Sequence, residues 1–525
     1  MKLKLFLNEP AIDFTQAGEV DNFKKAIEFV KTQLGKDYPL FINGKSVVGS
    51  RVLESLNPNK PSELIGYVSI AERSHMDEAF VAAKNAFSFW RNIDVENRAS
   101  CLLKAAEIIR SRKYEFCAWQ ILEVGKQWEE AYGEVAEAID FLEYYAREAL
   151  HLGQSRHILS MAGEENVYGY RPRGVALVIA PWNFPLAISI GMVAAALVTG
   201  NTVVYKPSEL SPVVGYLLVD IFREAGLDAG VFNYISGYGF EIGDHLVEHE
   251  DVSLISFTGS MQTGLHIIEK ASKVHPHQGH VKRVICEMGG KNAIIVDADA
   301  DLDQAIPAII ASAFRYQGQK CSACSRLIVL DEIYDRVIDR LVKAVKTLSI
   351  GPSEDPQYFL GAVIDPRAQE KVLAYQNMAQ AEGEVLFKSE IPQGEGYYVP
   401  LMIVGGINPE DHVAQEEVFG PLLAVMRVKD FDQALDWANS TRYGLTGGVF
   451  SRSPKNLDRA RKEFKVGNLY LNRSITGACV GRQPFGGSYM SGTGTKAGGP
   501  DYLLNFVDPC VVTENTMRRG FVPEV

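Results

Sequence analysis

The sequence predicts an α/β protein made of two parallel-sheet lobes in succession, and three observations predict it. An uncharged run of 32 residues, Gly174 to Tyr205, breaks into strand, helix and strand. Strand-like apolar runs then alternate with helical patterns as far as residue 316. A second alternation of the same kind begins near Leu327. Composition agrees: 46% hydrophobic and 22% charged residues belong to a soluble globular chain, not to a disordered, coiled-coil or fibrous one. The 525 residues suggest about three domains. A net charge of −12 leaves no basic footprint for nucleic acid or an anionic membrane, so neither is expected as a partner. Seven cysteines, an odd number in so long a chain, do not read as a secreted disulfide framework.

Taken in order, Met1–Pro10 has too short an apolar stretch for a signal peptide. Acidic Glu9 and Asp13 do not suit a transit peptide, so a cytoplasmic protein is expected. Leu40–Ile42, Asn43-Gly44 and Ser46–Val48 read as a hairpin with an Asn-Gly turn. The remainder up to about residue 150 reads as mostly helical; Ala79, Phe80, Ala83, Ala86, Phe87 and Trp90 recur at three- and four-residue spacing. Within the uncharged run, Val175–Ala180 is a strand ended by Pro181-Trp182-Asn183-Phe184-Pro185. Leu186–Thr199 is a helix stopped by Gly200-Asn201, and Thr202–Tyr205 resumes strand character before Lys206. A bilayer span needs about 20 unbroken apolar residues, so no membrane crossing is expected here. Further strands are read at 231–235, 252–257, 281–285 and 293–296, with helices near 211–225, 240–249, 260–273 and 301–316. The second alternation comprises a strand at 327–330, a helix at 333–348, and strands at 422–427 and 449–450. Two such lobes place a crevice between them, where ligands usually sit. Gly477–Gly499 holds eight glycines in 23 residues, either as a flexible connection or as a loop shaped by backbone contacts to a ligand.

The candidate chemistry concentrates at strand ends. Gly237-Tyr238-Gly239-Phe240-Glu241-Ile242-Gly243 follows a strand and opens a helix, as a pyrophosphate seat does, although a tight turn explains it equally. Ser256-Phe257-Thr258-Gly259-Ser260, with Gly264, is a stronger candidate, offering hydroxyls and glycine backbone at a helix N-terminus. Lys206-Pro207-Ser208-Glu209 sets a cation and a carboxylate after a strand, which suits ribose hydroxyls or, alternatively, a solvated strand end. Cys321 has Lys320 and Arg326 nearby to favour a thiolate. Competing readings are a buried structural cysteine and a CxxC redox pair with Cys324. His275, His277 and His280, separated by Pro276 and Gly279, read as a solvated loop, and no metal is expected. Glu287 ends a strand before two glycines and, if buried, suits a general base of raised pKa. A cysteine, a carboxylate, an Asn-bearing loop and a dinucleotide site together point to thiol-based oxidation of a carbonyl.

These residues lie in blocks that resemble the aldehyde dehydrogenase superfamily over nearly the whole chain. The blocks are Pro181–Pro185, Gly200–Thr202 through Lys206–Glu209, Phe257–Ser260, Glu287–Lys291, Gly318–Cys321, Glu417–Pro421 and Pro484–Gly487. Within the superfamily the chain is most similar to the 1-pyrroline-5-carboxylate (L-glutamate γ-semialdehyde) dehydrogenase branch, through Gln317–Ser322, Ile475–Ala478 and Lys496–Leu503. The resemblance implies a Rossmann-type cofactor lobe, an α/β catalytic lobe and a β oligomerisation arm. It implies an NAD(P)-binding domain at 1–155 and 172–286, a catalytic domain at 287–490, and an arm and C-terminal strand at 156–171 and 491–525. On this basis Cys321 is the nucleophile, Asn183 and the Cys321 N–H hold the oxyanion, and Glu287 activates water. Lys206, Ser208 and Glu209 bind the adenosine ribose; Phe257, Thr258, Gly259, Ser260 and Gly264, with Gly239 and Gly243, belong to the cofactor site. Glu417 and Phe419 serve the nicotinamide end.

For the substrate, the branch implies an α-carboxylate on the Ser322 hydroxyl and the Gly477 and Ala478 N–H groups. Glu137 faces the ammonium, and Phe184 and Phe485 sandwich the aliphatic chain. The expected cofactor is NAD, with NADP as the alternative: Glu209 repels a 2′-phosphate and Lys206 attracts one. The expected activity is oxidation of L-glutamate γ-semialdehyde to glutamate, the second step of proline breakdown, by a monofunctional chain. Rival readings are another ω-semialdehyde such as succinate semialdehyde, a cysteine esterase, or a thiol–disulfide oxidoreductase. A homodimer or an assembly of dimers is expected, with the arm and C-terminal strand pairing to a neighbouring subunit. Departures from the family pattern are Met192 where many members carry lysine, Gly494 where Asp or Asn is expected, Ser488 after Gly487, and Cys324 in place of alanine. A reversible Cys321–Cys324 disulfide is one hypothesis for the last.

Overall fold

The computed structural model describes residues 3–154, 158, 159 and 161–517. Two seven-stranded sheets dominate. In the first, Arg283–Glu287, Val252–Thr258, Val175–Ile179, Thr202–Lys206 and Phe232–Tyr234 run parallel in that spatial order. The hairpin Leu40–Ile42 and Lys45–Val47 extends the sheet antiparallel; Asn43 and Gly44 at its turn both have positive φ, as a type I′ turn requires. Strand order therefore reverses between Val175–Ile179 and Val252–Thr258, which is where doubly wound sheets bind ligands. The strand Val175–Ile179 and the helix Ala187–Val198 are buried almost throughout, accounting for the uncharged run. No helix among the described residues is long and apolar enough to cross a membrane.

The second sheet runs Glu384–Lys388, Met402–Gly405, Leu422–Val428, Cys324–Leu330, Asn292–Val296, Thr446–Phe450 and Asn468–Leu471, parallel except at its first strand. Apolar clusters cover both of its faces. The chain passes from Glu287, the last residue of one sheet, to Asn292, the first of the next, through Met288–Lys291 alone. The C-terminal ends of the first sheet thus face the N-terminal ends of the second.

The N-terminal region is mostly helical, as its periodicity predicts, but Arg51–Asn57 and Lys60–Ile70 also form an antiparallel hairpin in a separate three-stranded sheet. Its inward positions include Ser55 and Asn57, bound to Glu123 and Glu63, so apolar alternation is absent from the sequence. The strand read at 281–285 is Arg283–Glu287, held in register by Cys286 opposite Phe257 and Glu287 opposite Thr258. The arm strand Glu164–Pro172 pairs with Val507–Asn515 of the same chain through nine residue pairs, forming a two-stranded ribbon. Residues 155–157 and 160 of that arm, and 518–525 at the C-terminus, lie outside the described residues. Ahead of the C-terminal strand, Tyr502, Leu503 and Phe506 are buried in the first lobe's core.

Candidate active site

Cys321 sits where the second sheet begins, and its position is set by a strained turn. The helix Leu302–Phe314 stops, and Tyr316, Gln317 and Gly318 follow in the left-handed region at φ 53°, 56° and 69°. Two consecutive non-glycine residues in that region are costly and persist only when their surroundings over-determine them. Here they do. The Tyr316 hydroxyl donates to the Val124 carbonyl at 3.0 Å, and the Gln317 amide donates to the Ala362 carbonyl at 2.7 Å and receives the Gln127 amide at 2.8 Å. Gly318 admits no Cβ, which would lie 2.6 Å from the Gly420 carbonyl oxygen. Beyond the turn, the Asn292 amide grips the Cys321 carbonyl at 2.7 Å and the Ala323 carbonyl at 2.9 Å. Burial pushes the Cys321 thiol up to about 12, with Glu417 and Glu287 adding to the rise.

Asn183 follows the strand Val175–Ile179, and its buried amide donates to the Gln319 carbonyl at 3.0 Å, aimed at the Cys321 loop. Glu287 arrives from the neighbouring sheet. Its carboxylate accepts the Gly487 N–H at 3.0 Å and the Thr495 hydroxyl at 3.0 Å, yet burial still pushes it up to about 8. Gly486 lies against it so closely that a Cβ there would stand 2.7 Å from the carboxylate and 1.9 Å from the Thr495 carbonyl oxygen. The glycine-rich segment is therefore a fitted loop. Gly494 has φ +86°, a conformation that Gly, Asn and Asp all tolerate, which reconciles this departure from the pattern.

On the first lobe's crevice side, buried Lys206 donates to the Pro207 carbonyl at 3.0 Å and pairs with Glu209 at 3.4 Å; burial lowers its pKa against the pull of Glu209. The Ser208 hydroxyl accepts the Leu210 N–H at 3.3 Å, closing the turn after Lys206. Ser260 caps the helix Met261–Ser272, accepting the Thr263 N–H at 3.2 Å. Gly259 and Gly264 are small for packing: a Cβ on either would lie 2.5 Å from the Phe257 ring or the Met288 sulfur. Gly239 and Gly243 instead face open space at the start of the helix Gly239–Glu248. Glu417 accepts the Gly290 N–H at 3.0 Å, and burial raises its pKa; a Cβ on Gly289 would strike this carboxylate at 2.1 Å. Phe419, at φ 62°, stands edge-on to Trp182 at 5.6 Å. Two carboxylates, a buried cation and a capped helix N-terminus along one crevice fit a dinucleotide.

A cavity of about 450 Å³ opens on Cys321 and Glu287. Its walls include all six residues expected to hold substrate: Ser322, Gly477, Ala478, Phe184, Phe485 and Glu137. Thr258 and Met192 also line it, their side chains 3.7 Å apart. Burial, with Glu134 next, pushes Glu137 up to about 8, a carboxyl that gains from an arriving cation. Cys324 points elsewhere. It is buried in the second lobe's core with Ile294 and Leu327, both cysteines are free, and burial pushes its thiol up to about 12. A thioredoxin-like pair needs a low-pKa thiol, and neither cysteine here has one.

The sequence reading missed a layer of charge beneath the cavity. Lys126 and Glu134, both fully buried, form an ion pair, and the Lys126 ammonium lies 3.8 Å from the Phe184 ring centre and 4.8 Å from that of Tyr316. Glu134 also accepts the Leu186 and Ala187 N–H groups at 2.7 and 3.0 Å, fixing the loop that carries Asn183 and Phe184. Lys320 pairs with Glu130 at 2.5 Å, so the lysine read as a thiolate's neighbour is already engaged. No local signal marks these pairs: Lys320 and Glu130 are far apart in sequence, and the eight-residue spacing of Lys126 and Glu134 spans a break between two helices.

A model of the aldehyde dehydrogenase family matches residues 45–512. A 1-pyrroline-5-carboxylate dehydrogenase from a Geobacillus species is 48% identical over 97% of this chain and 99% of its own length. Among solved structures, a Thermus 1-pyrroline-5-carboxylate dehydrogenase with bound NAD is 45% identical with a TM-score of 0.96, over 98% of this chain and 100% of that one. Proline utilization A from Bdellovibrio bacteriovorus is 47% identical with a TM-score of 0.97; this chain is covered fully and spans 55% of that one. With the site geometry and a match over most of its length in agreement, the chain belongs to the aldehyde dehydrogenase family.

Proposed function

We propose that the protein oxidises L-glutamate γ-semialdehyde, the open form of 1-pyrroline-5-carboxylate, to L-glutamate, using NAD. The observation that carries this reading is one cavity lined by Cys321, Glu287, Gly477 and Ala478, and by Glu137 from the long helix Trp128–Leu152. An α-amino acid aldehyde presents an anion, a cation and a short apolar chain, and these walls offer a complement to each. The similarity to proteins named for this activity supports the same substrate.

In the reaction, Cys321 loses its proton to solvent and its sulfur attacks the aldehyde carbon, forming a thiohemiacetal. Burial keeps the thiol protonated at neutral pH before attack. Asn183 leaves the Gln319 carbonyl to donate to the developing oxyanion, together with the Cys321 N–H. NAD, held by Lys206, Glu209, Ser260 and Glu417, supplies the hydride acceptor. Loss of hydride from the former aldehyde carbon leaves a thioester on Cys321. Glu287 then takes a proton from water as that water attacks the thioester, and passes it to the departing sulfur, releasing glutamate and restoring the thiol. The Gly487 N–H and the Thr495 hydroxyl each occupy one site on a separate carboxylate oxygen, which leaves further lone pairs to meet the water. The carboxylate at Glu209 favours the free 2′-hydroxyl of NAD over the phosphate of NADP.

NADH formation from the semialdehyde tests the proposal. We expect turnover with the protein, none with Cys321→Ala, and a lower kcat/KM for succinate semialdehyde, which lacks the ammonium. A preference for succinate semialdehyde would falsify the substrate assignment. A homodimer or assembly of dimers accompanies the reading, supported by exposed Val167, Val511 and Val512 on the two-stranded ribbon.

A further inference from the structure

We propose that residues 4–10 form a strap that positions the loop Gly477–Val480 against the long helix Trp128–Leu152, with Asn8 as its positioning residue. The proposal rests on the substrate reading above, in which that loop anchors the α-carboxylate and the helix supplies Glu137.

Asn8 joins the two walls directly. Its side-chain amide donates to Asp140 on the helix at 2.8 Å and to the Val480 carbonyl at 2.9 Å. The Glu9 N–H takes the other oxygen of the same Asp140 at 2.7 Å, so this buried carboxyl is engaged by two neighbouring strap residues. Phe6 lies edge-on to Tyr144 of the helix at 5.1 Å. Gly481, at φ +74°, fits beneath both rings; a Cβ there would stand 3.1 Å from Phe6 and 3.2 Å from Tyr144. The strap is tied at both ends, by Arg147 to the Lys4 carbonyl at 3.0 Å and by Tyr132 to the Pro10 carbonyl at 2.6 Å.

The loop is clamped from its other side as well. Gly481 donates to the Gly498 carbonyl at 2.8 Å, and Gly498 donates to the Tyr145 hydroxyl, again on the long helix, at 2.8 Å. Without Asn8 the loop loses its one direct hydrogen bond from the strap. Asp140 and Val480 both line the substrate cavity, and Asp140 lies three residues from Glu137, on the same helical face. The strap touches no reacting atom. What it sets is the separation between the anion site and the cation site, the dimension that distinguishes an α-amino acid aldehyde from a simple one.

The test compares the unaltered protein with Asn8→Ala and Phe6→Ala, using glutamate semialdehyde and propanal, which has neither carboxylate nor ammonium. For each variant we expect the semialdehyde KM to rise about fivefold, as losing two hydrogen bonds at Asn8, or one aromatic contact at Phe6, implies at a binding wall. The kcat, the propanal KM and the NAD affinity stay within about twofold. An unchanged semialdehyde KM, or an equal rise for both aldehydes, overturns the strap while leaving the substrate reading standing. If the unaltered protein fails to prefer the semialdehyde to propanal, the substrate reading falls and takes the strap with it. Asn8→Ala alone separates the bridge from folding: a lowered Tm with both KM values unmoved marks the strap as merely structural and overturns the proposal.

Discussion

At the scale of single residues, the site is governed by burial. Glu287 is held at about 8, so as a base it is mostly protonated at neutral pH. The hydrolytic step therefore quickens as pH rises through about 8, where the carboxylate forms. A pH profile of kcat under conditions where deacylation limits should show this limb, and Glu287→Gln should remove it and lower the rate by about 10²- to 10⁴-fold. Asn183→Ala should lower kcat by about 10²- to 10³-fold with little change in NAD affinity, which steady-state kinetics would reveal. Cys324→Ser should leave activity nearly unchanged, because that thiol belongs to the core and not to the cavity. The residues proposed to react stand out in the sequence because each interrupts a pattern: Asn183 between prolines, Glu287 before two glycines, Cys321 between helix and strand. Lys126 does not, since its meaning depends on Glu134 and on rings contributed by two other segments.

At the scale of elements, the connections carry the function and the regular segments hold them. Main-chain glycines decide how near two carboxylates come to their partners. Gly289→Ala should drive Glu417 from its place and raise the KM for NAD by about tenfold, while cofactor-free ester cleavage at Cys321 persists. Comparing the two activities in one preparation checks this. Strand and helix existence was legible wherever apolar periodicity was clean, as in Val175–Ile179 and Ala187–Val198. The hairpin Arg51–Ile70 was hidden because its inward face spends polar side chains on Glu123 and Glu63. Strand ends shifted by two residues at Glu287 because parallel register, a long-range property, extends that strand past its apolar core.

At the scale of the whole molecule, sequence order foretold two successive lobes, and with them the crevice, but not how the chain returns. The segment after Phe485 crosses back to the first lobe, pairing Gly492 with Glu287 and burying Tyr502, Leu503 and Phe506 in that core. Such a crossing depends on contacts far apart in sequence, and no local pattern announces it. If the ribbon of Glu164–Pro172 and Val507–Asn515 is the dimer seam, Val511→Lys with Val512→Lys should shift the protein to monomers in sedimentation without unfolding it. The short passage from Glu287 to Asn292 has a further consequence. The proposed base is the final residue of the first sheet, and the amide gripping the carbonyl of the proposed nucleophile is the first of the second. Swinging the lobes apart like jaws would pull the proposed base and nucleophile out of register together, so their alignment is tied to how firmly the two sheets stay closed on each other.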